Sequence, residues 1–394
     1  MLSQEENDLL TRVGPGTPAG QLLRRYWHVV AAASELTDEK PKKRVRILGE
    51  NLLLYRNRRG GYGLVAERCS HRGASLYYGF TEDDGIRCAY HGWKYDACGK
   101  CVEQPFENPE SGFKDKIQHP AYPVEKLGGL LFAYMGPADK KPLWPKWDVL
   151  VRLDGVKKVD VCEVLECNWL QAMENSVDPT HTYYLHSHTL KLKGDKDYVP
   201  FHYQQLSKID FELVIQPSWA GIQKQRIFAG DDVPAEAPHP LIFPNILFVP
   251  VRTGYAMHFR TPIDDANTQV FQFRFSPTKD GRIADQPEDP PFEFVATKND
   301  DGEFHLNHFA SQDHMAWETQ GPIADRTCEH LGEGDRGIIM FRKLLREQIS
   351  ALQNGDNLIG VNFDPAQDEM IQLIHAGYDA YSFAAARERE AKLA

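Results

Sequence analysis

The chain of 394 residues has no apolar run of the length, about 18 residues, that a membrane-crossing helix needs, so no membrane span is expected. It has no G-x-G-x-x-G turn of the kind that seats a dinucleotide on a helix N-terminus, and no flavin segment. Any nicotinamide or flavin chemistry is therefore expected to reside on another polypeptide. Positive charge is short: 45 Lys and Arg stand against 56 Asp and Glu, a net charge of −11. That balance argues against nucleic acid and anionic membrane as partners. Cysteine is scarce and odd in number, seven in all, which suits a reducing compartment better than a disulfide framework. The opening MLSQEENDLLTRV is acidic and polar, unlike a secretory signal, and cytoplasmic residence is expected. Internal repeats are missing, and biased composition is confined to a charged tail at 387–392. What is present, 42% hydrophobic and 26% charged residues, is the composition of a globular protein with room for two or three domains.

The informative cysteines are two. Cys69 and His71 form a C-x-H unit, and after sixteen intervening residues Cys88 and His91 form a C-x-x-H unit. Two thiolates and two imidazoles in such paired units are the ligand set of a Rieske [2Fe–2S] cluster, cysteines on one iron and histidines on the other. Replacing anionic thiolates by neutral imidazoles raises the reduction potential, so the centre accepts an electron from a ferredoxin or flavin and passes it on. A structural Cys2His2 zinc site is the competing reading. Zinc fingers group Cys with Cys and His with His, whereas each half here contributes one of each. Gly73 and Gly92, just after each half, suit two tight loops approaching a cluster from opposite sides. Cys98 and Cys101 make a C-x-x-C nearby, but with no second pair at zinc-ribbon spacing they read as a hairpin turn around Gly99.

Along the chain, 3–27 reads as helical with a break at Gly14-Pro15-Gly16, and about 28–136 as short strands: 44–48, 52–55, 63–66 and 129–134. A Pro-rich stretch from Pro137 through Pro142 to Trp147 reads as a linker. Beyond it, 159–167 alternates like a strand and 168–186 reads as a helix. Strands are expected at 242–250, 256–260 and 268–275, and an apolar stripe from Ile338 to Leu352 predicts a helix over 335–353.

In the second half, Asp178, His181 and His186 stand at spacings of three and five. On a helix with a local bulge, His181 and His186 converge on one side. Two imidazoles and one carboxylate on one face of an iron make the facial triad of non-haem Fe(II) oxygenases, with positions left open for O2 and substrate. A lone histidine pair on a helix is more often packing than ligand, but an electron relay upstream needs somewhere to deliver electrons.

With the run Asn168-Trp169, Gln171, Glu174-Asn175, Asp178, His181 and His186 following the C-x-H and C-x-x-H units, the chain resembles, over nearly its full length, the alpha (terminal oxygenase) subunit of Rieske non-haem iron aromatic-ring-hydroxylating oxygenases, of the phthalate dioxygenase-like, aryl O-demethylase branch. The resemblance implies an α+β fold: an N-terminal antiparallel β Rieske domain with preceding helices over 1–145, and a helix-grip catalytic domain, an antiparallel sheet with helices, over 146–394. It implies a Rieske [2Fe–2S] cluster on Cys69, His71, Cys88 and His91, and a mononuclear Fe(II) on His181, His186 and a downstream aspartate. The segment around Gln312, Asp313, Trp317 and Glu318 is similar to the family's ligand helix, so Asp313 is the expected third ligand, with Asp325 and Asp335 as competitors. Asp178 carries over as the family's bridging carboxylate between the iron site of one subunit and the cluster of its neighbour, which implies an oligomer, a homotrimer in the usual case.

Function follows as an expectation: an oxygenase using O2 and electrons from a separate NAD(P)H-dependent reductase, with or without a ferredoxin, to oxidise an aromatic acid. O-demethylation of a methoxylated, lignin-derived aromatic with release of formaldehyde is preferred, and cis-dihydroxylation of a phthalate-type substrate is the alternative. Arg252, Arg260 and Arg274 on expected strands, and the basic stretch 188–196, are candidates to meet a substrate carboxylate, although strand arginines more often face solvent or an internal acid. A rival of another class is a Rieske electron-transfer protein with a non-catalytic binding domain. It would lack the Asp178, His181, His186 motif, which is present here.

Overall fold

A computed structural model describes residues 1–188, 206–216, 218–228, 239–251 and 254–374. The N-terminal helical stretch is two short helices, α1 (Gln4–Thr11) and α2 (Pro18–Leu23). Ser3 and Glu6 form a reciprocal capping box that starts α1, and Thr17 with Pro18 starts α2.

Three small antiparallel sheets follow. Trp27–Ala32, Leu130–Tyr134 and Val124–Leu127 form one. Lys42–Ile47, Glu50–Arg56, Tyr62–Ala66 and Ala121–Tyr122 form the second, and Phe80–Thr81, Gly85–Arg87, Lys94–Asp96 and Cys101–Glu103 the third. Between Ile47 and Glu50 the hairpin turns on Leu48 (φ 48°) and Gly49 (φ 80°), both left-handed as a two-residue turn requires. The leucine is held there by its burial and by N–H bonds from Leu48 to Pro262 O and from Gly49 to Ile263 O, each 2.9 Å. That contact pins the N-terminal lobe to the end of a strand in the second half.

The second half is built on an eight-stranded sheet, ordered Leu206–Ile215, Ala220–Phe228, His239–Ile242, Ile246–Val251, Gly254–Asp264, Asn267–Pro277, Gly155–Cys162 and Phe292–Val295. All neighbours are antiparallel except the last pair. The expected strand 242–250 is two strands, because Pro244 offers no N–H to a ladder and the chain turns at Asn245.

Alternation sorts the sheet's faces. Tyr255, Met257, Phe259, Phe271, Phe273 and Phe275 face a core shared with Trp27, Phe132 and Trp147 of the N-terminal half. Full burial of each large ring contributes roughly 1.5–3 kcal/mol, so the N-terminal three-stranded sheet is an integral backing. The other face is covered by helices: α3 (Asp148–Val151) lies at the junction, while α4 (Trp169–Ser176), α5 (Phe309–Glu318) and α6 (Arg336–Asn354) pack over the sheet. Leu10, Leu22 and Leu23 of α1 and α2 share a core with Trp169 and Met173 of α4 and Phe341, Leu344 and Ile349 of α6. A separate small core of Leu53, Tyr55, Val65, Leu76, Ile86, Trp93 and Tyr95 encloses Cys69 and Cys88. Among the described residues no helix is long and apolar enough to cross a membrane.

The expected continuous helix over 168–186 is interrupted. α4 ends at Ser176, and Asp178 precedes Pro179, whose ring disfavours the helical region for the residue before it. Helix then resumes, and Thr182–His188 is a π-helix.

Candidate metal centres

The two N-terminal loops are built alike. In each, the cysteine carbonyl accepts from a glycine N–H four residues on: Gly73 N to Cys69 O at 2.8 Å, and Gly92 N to Cys88 O at 3.0 Å. In each, the cysteine N–H returns to the carbonyl five residues on, Ala74 O or Trp93 O. Gly73 and Gly92 have φ of 74° and 73°, a conformation that glycine enters without steric cost. Cys69 and Cys88 are buried, neither is in a disulfide, and burial pushes the Cys69 thiol up. His71 and His91 lie with ring centroids 4.6 Å apart, and His71 stacks on Trp93 at 4.4 Å. The Tyr95 hydroxyl lies 3.1 Å from Cys69 Sγ, and Tyr95 stacks on His119, which bonds Ala66 O and Ser70. Two buried thiols beside two partly exposed imidazoles form a donor set that fits a [2Fe–2S] cluster. Cys98 and Cys101 flank the Gly99 turn of a hairpin, whose Asp96 carboxylate accepts from Cys98 N and Lys100 N.

The second site draws on two segments far apart in sequence. A π-helix closes i to i+5 bonds, so residues five apart lie on one side, and His181 and His186 face each other with centroids 5.2 Å apart. From α5, Asp313 places Oδ1 3.3 Å from His186 Nε2 and 3.9 Å from His181 Nε2. One atom from each of the three side chains lies within 4.8 Å of the others. Atoms sharing one ion at bonds of about 2.1 Å stand roughly 3–4 Å apart. Asp313 Oδ1 is buried without a hydrogen-bond partner, an orphan that a cation would satisfy. Burial raises the Asp313 carboxyl, yet His186, His181 and Arg260 outweigh it and hold it below the usual range. For His186, burial would lower the ring, but Asp313 and Gln312 raise it.

Behind His181, Asp178 Oδ2 stands 3.6 Å from Nδ1, while Asp178 Oδ1 accepts from Thr180 N (2.7 Å) and Thr180 Oγ1 (2.5 Å). Behind His186, Gln312 Oε1 stands 2.8 Å from Nδ1. Asp325 and Asp335 are elsewhere: Asp325 caps Thr327 and Asp335 caps Gly332, both at the surface.

Of the candidate arginines, Arg274 pairs with the buried Asp160. Arg260 is fully buried and donates to Ser176 Oγ and Met173 Sδ, with its guanidinium 5.2 Å above the Trp317 ring. Burial holds it down to about 10. Arg252 lies outside the described residues, as does the basic stretch beyond 188. Gln312 and Tyr95 were missed as functional residues. Gln312 had a signal, since it adjoins Asp313, while nothing in the spacing marks Tyr95.

Comparison with known proteins bears on the fold and the family. The Rieske [2Fe-2S] domain model matches residues 26–123, and the model described as LigXa C-terminal domain like matches 296–377. The chain is 40% identical over 385 residues to the 5,5'-dehydrodivanillate O-demethylase oxygenase subunit of Sphingobium sp. (strain NBRC 103272 / SYK-6), covering 95% of this chain and 86% of that one. It is 34% identical to the phenoxybenzoate dioxygenase subunit alpha of Ectopseudomonas oleovorans, covering 92% and 89%. Among solved structures, the reduced complex between oxygenase and ferredoxin in carbazole 1,9a-dioxygenase shares the fold with a TM-score of 0.64 at 22% identity, over 90% of this chain and 98% of that one.

Proposed function

The chain belongs to the Rieske non-haem iron oxygenases, in the phthalate dioxygenase-like, aryl O-demethylase branch, and from that premise we propose that it is the terminal oxygenase of a system that demethylates a methoxylated, lignin-derived aromatic acid. The observation that carries the oxygenase reading is the meeting of the buried His186 with the half-buried His181 and Asp313 at one spot. The relative named as an O-demethylase, similar over almost the whole chain, favours the reaction.

Each side chain then has a role. Cys69 and Cys88 would hold one iron of the cluster and His71 and His91 the other. His181, His186 and Asp313 would hold an Fe(II). When bound there, the iron supplies O2 activation; the protein controls access and electron timing. Asp178, with Oδ2 3.6 Å behind His181 Nδ1, would orient that ring and accept a hydrogen bond from a cluster histidine of a neighbouring subunit. The functional unit is accordingly an oligomer, a homotrimer in this reading, with 1–145 as the relay half and 146–394 as the catalytic half. Electrons come one at a time from a separate NAD(P)H-dependent reductase or its ferredoxin. The balanced reaction consumes the aryl methyl ether, O2, two electrons and two protons and yields the phenol, formaldehyde and water. The methyl C–H is hydroxylated, and the resulting hemiacetal breaks its C–O bond to release formaldehyde.

The phenoxybenzoate dioxygenase relative favours a second reading, cis-dihydroxylation of the ring. A panel of methoxybenzoates, methoxylated biphenyl acids, phenoxybenzoate and phthalate, assayed with a generic reductase, separates the two. Formaldehyde formed in step with a phenol supports demethylation. Dihydrodiols without formaldehyde overturn it in favour of the second reading.

A further inference from the structure

The two histidines that meet Asp313 are backed differently, and we propose that Gln312 is a positioning residue that fixes the tautomer and rotation of His186. The inference rests on the reading of His186 as an iron ligand and deepens it.

Gln312 is fully buried on α5, where Phe309, Gln312 and Asp313 occupy positions i, i+3 and i+4 and so share one face. All three touch His186. The Phe309 ring meets it edge-on at 4.7 Å, Gln312 Oε1 stands 2.8 Å from Nδ1, and Asp313 Oδ1 stands 3.3 Å from Nε2. The orientation of the amide is determined by its other end. Gln312 Nε2 donates to Leu306 O at 2.8 Å, and a carbonyl oxygen can only accept. Oε1 therefore faces the ring, and Nδ1 must carry the proton and donate to it. The lone pair is left on Nε2, the nitrogen nearest Asp313. One helix thus supplies an anionic ligand and, one residue earlier, the group that aims a second ligand at the same point.

His181 is backed by a carboxylate, Asp178, at 3.6 Å. A carboxylate behind an imidazole raises its basicity and ties its charge to other groups; a neutral amide orients without adding charge. His186 is therefore the ring whose orientation a direct hydrogen bond fixes.

The test uses the purified full chain with its cluster assembled, comparing wild type, Q312M, Q312E and H186A. Iron affinity of the mononuclear site is measured by competition with a chelator. In a Co(II)-substituted sample, the ring N–H protons of the ligand histidines are followed by their hyperfine-shifted NMR signals. Q312M keeps the side-chain volume and loses the acceptor, so its iron dissociation constant rises about 10- to 100-fold. Q312E keeps the acceptor, so its affinity equals or exceeds that of wild type. The His186 N–H signal exchanges slowly with solvent in wild type and rapidly in Q312M. Wild-type affinity and slow exchange in Q312M overturn the proposal. So does a rapidly exchanging His186 N–H in wild type, whichever variants fold. If H186A retains the third iron at full affinity, the ligand reading itself fails, which is a separate result.

Discussion

Asp178 faces His181 across 3.6 Å, with Nδ1 of the ring turned to Oδ2 of the carboxylate. The carboxylate is held by Thr180, and although burial pushes it up, His181 and Thr180 keep it below its ordinary value, so it is ionised at neutral pH. Asp178→Asn keeps the shape and removes the charge. Steady-state turnover should fall about 10- to 100-fold with cluster and mononuclear iron both retained. NADH-coupled oxygen uptake with parallel metal analysis checks this, and unchanged turnover contradicts it.

The Tyr95 hydroxyl lies 3.1 Å from Cys69 Sγ, and a cluster-bound thiolate, having no proton, can only accept from it. Hydrogen bonds to cluster sulfurs stabilise the reduced, more negative state. If the bond favours that state by about 1 kcal/mol, Tyr95→Phe lowers the cluster potential by roughly 40 mV for this one-electron couple. Redox titration followed by EPR reads the shift directly. A potential equal to wild type shows that the bond does not tune the cluster.

Glu174 joins elements that the sequence keeps far apart. On α4, it accepts from Arg326 (2.7 and 3.0 Å) and from Arg342 of α6 (2.6 Å), and Arg326 also reaches Asn7 of α1. Removing one partner of a buried ionic group leaves the others unpaired. Glu174→Gln is expected to cost about 3 kcal/mol and to lower the melting temperature by several degrees. A melting temperature within one degree of wild type would show that the network contributes little.

His28 offers a pH-dependent test. Burial holds its ring down to about 4, against a value of about 6.5 in an unfolded chain. The unfolded state therefore binds the proton more readily, and stability is lost as pH falls from about 6.5 towards 4. At pH 5 the loss from this residue is about 2 kcal/mol. In His28→Gln the urea midpoint should drop less between pH 7 and pH 5 than in wild type; an equal drop assigns the acid sensitivity to other groups.

The parts of the site that could be read from the sequence are local. The C-x-H and C-x-x-H units, the five-residue spacing of His181 and His186, and the glycines that follow each cysteine are short-range patterns with a chemical reason. The bulge expected between the histidines is a π-helix, Thr182–His188, while the break at Pro179 is one that a periodicity count over 168–186 passes through. Long-range partners were not legible. That Arg274 meets Asp160, that Gln312 backs His186, and that α1 packs on α4 and α6 depend on how distant segments come together. That the three-stranded sheet of the N-terminal half shares a core with the eight-stranded sheet was likewise not legible, because alternating strands do not reveal which second sheet they face.

The central claim is that His181, His186 and Asp313 hold a metal in addition to the cluster of the N-terminal half. Iron per chain, measured on protein reconstituted with iron and sulfide without oxygen, tests it most directly. Three irons in wild type, and two with the Rieske EPR signal intact in Asp313→Ala, is the expected result. Two irons in wild type, or three in that variant, would contradict it.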